Sequence, residues 1–545
     1  MALKIVDRQD VIKVEPMENL EAIELLQRKV GLPAETPDIL KLVEELDFMP
    51  LAIIQAAGYI VHRAPRCSVS QYLEIFQKSD RSATKLLDYE GGHIFRDWEA
   101  KNSILVTWQI SFDHIRRIRP SATDLLSLMS FFDRQGVSEN LLRVHNETQN
   151  GDSNSQEIEI EYNDGDTDST SESNMDHNFE DDIATLRDFS FISINRDSTV
   201  FTMHRLVQLT VRVWLKADRQ LERWKEQYIM ILWQRFPTGE YENWAQCQSL
   251  FPHVKSAMSQ RPESHEFLRQ WAALLYNGAW YAQKIGHIIE SQDMASESRN
   301  QRLSMFGLDS EQTLESSEML AEAYRLEGQW KEAEQLSVQV METRKTKLGA
   351  DHPSTLTSMA NLASTYSDQG RWQEAEQLRV QELKMCKAKL GADHPDTLTS
   401  MANLASTYRN QGRWEEAEQL EVQVMETRKT KLGADHPDTL TSMANLAYTL
   451  KSSAQDKAAL ILMAECVRRR DRKLGPDHPH TMSSKSTLSE WRGQSDSLFS
   501  KITKASTEAK EDNQILASPT TISTRSSKPS GYRRRTVFSR LFSRK

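Results

Sequence analysis

Residues 391–432 read GADHPDTLTSMANLASTYRNQGRWEEAEQLEVQVMETRKTKL, and this stretch decides the fold because the chain says it more than once. Residues 349–390 match it nearly throughout, and Gly349, Gly391, Gly433 and Gly475 stand 42 residues apart, each after a leucine. Trp330, Trp372 and Trp414 keep the same period. Within the copy, Pro395 falls where a helix begins, since its fixed φ and missing N–H suit a first turn. Leu398, Met401, Leu404, Ala405 and Tyr408 recur at three- and four-residue steps, which predicts an amphipathic helix ending at Gly412. Trp414, Ala417, Leu420 and Val424 predict a second helix, with Glu415, Glu416 and Glu418 toward water and Gly433 closing it. Such a pair cannot bury its apolar stripe alone, so copies must stack, and the pattern predicts an α-solenoid.

Weaker copies flank the strong ones. Upstream, Gly307 with Thr313 and Leu314 keeps the register, and Leu275, Gly286 and the run Trp271 to Lys284 suggest a further unit. Downstream, Asp456 takes the tryptophan's place while Ala459 and Leu462 persist. About four to five units are expected over residues 265–495, the terminal ones atypical as caps should be. Leu404-Ala405-Ser406-Thr407-Tyr408 followed by Ala417 resembles the tetratricopeptide pattern Leu-Gly-x-x-Tyr and Ala, with Ala405 for the glycine. The longer period and the phrase Leu-Gly-x-Asp-His-Pro-x-Thr-Leu, with its Asn-Leu-Ala, resemble the repeats of kinesin light chains. That resemblance implies a peptide-binding scaffold.

Asn361, Asn403 and Asn445 keep one polar position in the otherwise apolar first helix of each copy. Two readings stand side by side. In similar repeats such an asparagine bonds the ligand backbone from the groove, using an amide that donates and accepts; otherwise it is a packing residue satisfied inside the solenoid. Arg371, Arg409 and Arg413 are further candidates, for anion contacts in the same groove. Four histidines, His352, His394, His436 and His478, recur one repeat apart, too far to share an ion, so turn packing beside a helix start is the expected role and no metal site is expected.

The first half carries a different signal. Leu46-Asp47-Phe48-Met49-Pro50-Leu51-Ala52 resembles the Gly-Leu-Pro-Leu-Ala motif of the helical subdomain of NB-ARC ATPases, with Phe48 for the glycine. Asp182 to Asp188 reads as a short helix, and Phe189 to Ile194 with Thr199 to Met203 as a hairpin around Asn195-Arg196-Asp197-Ser198, followed by a helix from His204 to Leu215. That order resembles the winged-helix subdomain of the same ATPases, and Met203-His204-Arg205 falls where they carry Met-His-Asp. The resemblance implies that Pro50 and His204 are vestiges of adenine and phosphate contacts; the simpler reading beside it is that both motifs only pack these subdomains together. A phosphate cradle needs Gly-x-x-x-x-Gly-Lys-[Ser/Thr], which the sequence lacks, so no cofactor is expected, ATP and ADP included. Either the chain is a truncated or degenerate relative or an upstream part is missing.

The sequence is therefore read as mainly α: a helical bundle over 1–110, a winged-helix-like domain over 111–260, a tetratricopeptide solenoid over 265–495 and a disordered basic tail over 496–545. An acidic insertion at 147–182 holds 13 Asp or Glu and no Lys or Arg, and reads as solvated and disordered. The net charge of −10 argues against nucleic acid as a partner. Four scattered cysteines fit neither a disulfide framework nor a thiol-bound zinc site, and with no apolar leader or span the expectation is a cytoplasmic protein. In the tail, Val537, Phe538, Leu541 and Phe542 opposite arginines would suit weak contact with an anionic membrane, a plain exposed tail being the simpler reading. The partner expected is a protein or peptide in the groove, with self-association left open. Catalytic signatures are absent, so a non-enzymatic scaffold or sensor resembling fungal NOD-like receptors is the leading expectation. A kinesin-light-chain-like cargo adaptor and a residual ATP/ADP-binding switch are the alternatives.

Overall fold

The structure, a computed structural model, describes residues 17–31, 37–64, 66–78, 104–134, 136–143, 170–195 and 199–493. It divides into two compact units, at Leu378 and Arg379.

The first unit opens with a small helical bundle: α1 (Asn19–Val30), α2 (Pro37–Glu45), α3 (Pro50–His62) and α4 (Val69–Lys78). Glu18 and Glu21 close a capping box on α1, and Gly31 ends it in the left-handed conformation that lacks a penalty only for glycine. The apolar stripes, Leu26, Leu42, Ile53, Tyr72 and Phe76 among them, meet in one core. Next come α5 (Ile104–Ile118), α6 (Pro120–Met129), β1 (Val137–Ser138), α7 (Thr170–Asp188), β2 (Ile192–Ile194), β3 (Val200–Met203), α8 (Arg205–Ala217), α9 (Leu221–Arg235) and α10 (Trp244–Ala257). The hairpin read from the sequence is present, with Ile194 opposite Phe201, and β1 adds a third antiparallel strand to give the order β1-β3-β2.

One element departs from the sequence reading. The helix expected at Asp182–Asp188 runs from Thr170, so the last part of the acidic stretch is helical. Nor is its final residue solvated: Asp182 is buried and accepts from the Arg119 guanidinium and, at 2.8 Å, from the Ser121 hydroxyl. Paired burial of this kind overrides a composition that otherwise reads as loop. Residues 147–169, the rest of that insertion, and the basic tail with its proposed membrane face lie outside the described residues.

From residue 265 the chain is all helix pairs. The first unit holds α11 (His265–Lys284), α12 (Ile288–Phe306), α13 (Glu311–Glu327), α14 (Trp330–Leu348) and α15 (Pro353–Asp368); α16 (Trp372–Leu390) carries the division; the second unit continues with α17 (Pro395–Asn410), α18 (Trp414–Leu432), α19 (Pro437–Ser452), α20 (Asp456–Leu474) and a last helix over 479–493, α21. The repeated phrase explains each joint. Gly349 and Gly433 hold φ of 98° and 96° with extended ψ, a region essentially confined to glycine. The Thr355 and Thr439 hydroxyls donate to those glycine carbonyls at 2.9 Å. Proline occupies the first helical position, and His352, His394, His436 and His478 each accept at Nδ1 from the backbone N–H two residues on, at 3.1–3.3 Å. The histidines are helix caps.

Candidate groove of the repeats

Within each unit, successive first helices of the pairs touch: α11 with α13, α13 with α15, and α17 with α19. In a stack of helix pairs, the layer whose members approach one another is the inner layer, so the first helices line the groove. The three asparagines sit on them, each half-buried. In the first unit, Asn361 of α15 donates to Glu318 of α13 at 3.3 Å and borders a small recess floored by Ser337 of α14. In the second, the Asn403 backbone oxygen accepts from Thr407 at 3.3 Å and from the Arg379 guanidinium. Among the described residues, neither the Asn403 nor the Asn445 side-chain amide has a hydrogen bond.

The three arginines are placed differently from the asparagines. Arg371 lies at the turn between α15 and α16, its guanidinium 4.2 Å from the Tyr366 ring, with Glu334 at 2.8 Å and Glu374 beside it. Arg413 repeats that arrangement on Tyr408, at 4.0 Å, with Glu416 at 2.6 Å. The hydrogen bond to Glu374, with that to Glu334, holds the Arg371 guanidinium above its ordinary pKa. They staple the turn. Arg409, on α17 itself, meets the Ser406 hydroxyl at 3.3 Å and lies 3.9 Å from the buried Glu421.

A second periodic set escaped the sequence reading. Arg302, Arg344, Arg428 and Arg470 are buried on the second helices, and each donates to the carbonyl ten residues on: Gln312, Ser354, Asp438 and His480, at 2.9–3.3 Å. Arg344, Arg428 and Arg470 also donate to the serine fourteen residues on, Ser358, Ser442 and Ser484. Each guanidinium thus ties a second helix to the next first helix. The 42-residue spacing was the available signal, but an arginine in a charge-rich helix reads as solvent-facing. At the equivalent place in α16 stands Cys386, and there Ser400 donates to Glu382 at 2.5 Å.

In the first unit, the two motifs of the N-terminal half meet through one carboxylate. Asp47 and Phe48 hold φ of 51° and 55°, a left-handed turn that ends α2 and aims the aspartate away from its own helix. Asp47 accepts from the Arg205 amide at the start of α8 at 2.8 Å and from the Arg134 guanidinium, and it lies 3.4 Å from His204 Nδ1. Burial pushes the Asp47 carboxyl up, but the bonds from His204, Arg134 and Arg205 outweigh it and leave it below the usual range. Pro50 opens α3 at its first turn and is exposed, while His204 turns to Asp47. Beside them a cleft of about 440 Å³ is lined by Lys41, Glu45, Arg134, Arg205 and Arg212 among others. Arg205 pairs with Glu45, and Arg212 donates to the Ser130 carbonyl at 2.8 Å, so these cations serve the packing of α2, α6 and α8.

Among the described residues no group of three or more His, Cys, Asp or Glu could hold a metal ion, and no helix is long and apolar enough to cross a membrane. The four cysteines are buried and unpaired with one another.

The helix pairs between residues 312 and 480 are similar to tetratricopeptide repeats: residues 312–388, 361–430 and 439–480 match family models of that description. Repeats of this class are protein-binding scaffolds. Residues 114–220, which hold the three-stranded sheet, match a domain of unknown function, DUF7779. The chain is similar to a "Nucleotide-binding leucine-rich repeat (NLR)-like protein" of Hyaloscypha variabilis, 32% identical over 295 residues that make up 52% of this chain and 26% of the relative. It therefore spans about a quarter of that relative's length. Among solved structures, the kinesin light chain "nearly identical TPR-like repeats" of Podosopora anserina (the Q17M form) are 28% identical, covering 38% of this chain and 98% of that one with a TM-score of 0.33. A signal transduction ATPase with numerous domains and a tetratricopeptide repeat sensor, from Pyrococcus horikoshii, is 10% identical over 87% of this chain and 62% of that one, also with a TM-score of 0.33.

Proposed function

We propose that the chain is the sensing part of a NOD-like-receptor-type system, binding an extended peptide segment of a partner protein along the inner helices of its repeats. The observation that carries this reading is the state of Asn403 and Asn445: both sit on first helices, half-buried, with side-chain amides that form no hydrogen bond among the described residues. A primary amide that both donates and accepts matches the backbone of an extended peptide, and an amide needed only for packing would be expected to find an internal partner. In the first unit, Asn361 offers the same chemistry once its 3.3 Å bond to Glu318 is exchanged for a ligand. Catalysis forms no part of the proposal. Nor does nucleotide binding, because His204 and the turn before Pro50 are engaged in joining the end of α2 to the start of α8 through Asp47.

Selection from a random peptide library displayed on phage tests the reading. The wild-type chain is expected to enrich a consensus sequence, and the triple variant N361A/N403A/N445A, folded by circular dichroism, to bind the synthesised consensus peptide at least tenfold more weakly. Unchanged affinity in the folded variant refutes it.

A further inference from the structure

One position of the second helices changes from copy to copy while its surroundings repeat: Ser337, Arg379, Glu421 and Met463, spaced by 42 residues. In the first unit this position is a floor. Ser337 of α14 lies beneath Glu318 and Ala321 of α13 and Asn361 and Thr365 of α15, at the recess described above. In the second unit the position is charged. Arg379 is buried and spends its guanidinium on the Asn403 carbonyl. Glu421 of α18 is 2% exposed and faces Arg409 of α17 and Thr449 of α19, the two inner helices on either side of the equivalent recess.

Glu421 is not satisfied there. The Thr449 hydroxyl lies beside the carboxylate but outside hydrogen-bonding geometry, so neither oxygen has a well-formed bond, and Arg409 stands off at 3.9 Å. Arg409 is itself loosely held, by Ser406 at 3.3 Å and by the Tyr448 ring 6.0 Å away. The matching residue two copies earlier, Arg325, shows what a settled arginine looks like at this place: Glu322 binds it at 2.7 Å, and Asp368 accepts from it as well. A buried carboxylate with no donor is costly. Burial pushes the Glu421 carboxyl up to about 7, against the pull of Thr449 and Arg409 and with the push of Glu418. Two adjacent acids and one loosely held arginine leave this step of the groove short of a cation.

We propose that Glu421 is the specificity residue of the groove: a lysine or arginine side chain of the bound peptide enters between α17 and α19, displaces Arg409 and supplies the charge-assisted hydrogen bonds that the carboxylate lacks. The long apolar stem of such a side chain suits passage beside Tyr448 while its charged end reaches the acid. Ser337 and Met463 could not select charge in this way, so the preference belongs to one step of the stack. The inference rests on the groove reading and is separable from it.

The test uses the full chain and the phage-selected consensus peptide, carrying a fluorophore, with binding read by anisotropy. Replacing one basic residue of the peptide by norleucine is expected to weaken binding to wild type at least tenfold, binding to E421Q less than twofold. Selection on E421K is expected to replace that basic residue with an acidic one. A consensus that depends on Asn403 and Asn445, but has no basic residue or loses equally in E421Q, overturns this inference and leaves the groove reading standing. Failure to enrich any consensus overturns both.

Discussion

Two neighbouring joints in the second unit are built from nearly the same sequence and hold together by different chemistry. Between α18 and α19, Val424 is buried and Arg428 reaches across to the Asp438 carbonyl, Ser442 and, at 2.9 Å, Thr399. Between α16 and α17, the matching residues are Glu382 and Cys386; the acid accepts a hydrogen bond from Ser400 and its other oxygen is left without one. The first joint buries a cation that is well supplied with acceptors. The second buries a carboxylate short of donors, and that carboxyl is pushed up by burial, eased only by Ser400 and Arg379. Sequence identity between copies therefore sets where the helices go, while a few interior exchanges set how firmly each joint is tied and what each step of the groove offers a ligand.

The comparison is broken most forcefully at its strong side. Arg428→Ala removes the guanidinium that ties the buried Ser442 and the Asp438 carbonyl to α18, and a loss of about 3 kcal/mol is expected in urea unfolding, against about 1 kcal/mol for Cys386→Ala. Equal losses would mean that the arginine is not the tie. Next comes the buried acid of the groove. Burial raises the Glu421 carboxyl from 4.5 to about 7, so its contribution is fully present below pH ~4.5 and is lost as pH rises through 7. Glu421→Gln should match wild type near pH 4 and exceed it by about 2 kcal/mol at pH 8. A stability difference that does not vary with pH contradicts the assignment. The smallest effect is also the most specific: Glu382→Val with Cys386→Arg rebuilds the strong joint in the weak one, with an expected gain of about 1 kcal/mol. No gain would show that the two joints differ in backbone geometry as well as in side chains.

The repeats were legible because their defining residues act locally and recur. Glycine at a forbidden φ, proline at a first helical position and a histidine cap announce each joint wherever they fall. The buried arginines were hidden by the same rule that made the helices readable, since long charged side chains on an amphipathic helix are assigned to solvent. In the first half, the hairpin was visible as two alternating runs, but β1 spans only Val137–Ser138, too short to carry a period. Asp182 was misread as solvated because composition does not show that it has Arg119 to pair with, 63 residues away. The Asp47 junction was half visible: packing between the two motifs was a reading of the sequence, but nothing local marks Asp47 as the link, since its partners His204 and Arg205 lie more than 150 residues on. Of the candidate site, the asparagines stood out as polar interruptions of an apolar stripe. The roles of Arg371 and Arg413 did not, because a residue just before a helix serves a turn as readily as a ligand.

The groove itself is tested most directly by the side-chain amide resonances of Asn403 and Asn445, in chain labelled with ¹⁵N at asparagine and titrated with the consensus peptide. The account predicts that both pairs of NH₂ signals shift in step with saturation, since each amide takes up the peptide backbone as its first hydrogen-bond partner. A peptide that saturates the protein while both pairs stay where they were would place the binding surface elsewhere on the molecule.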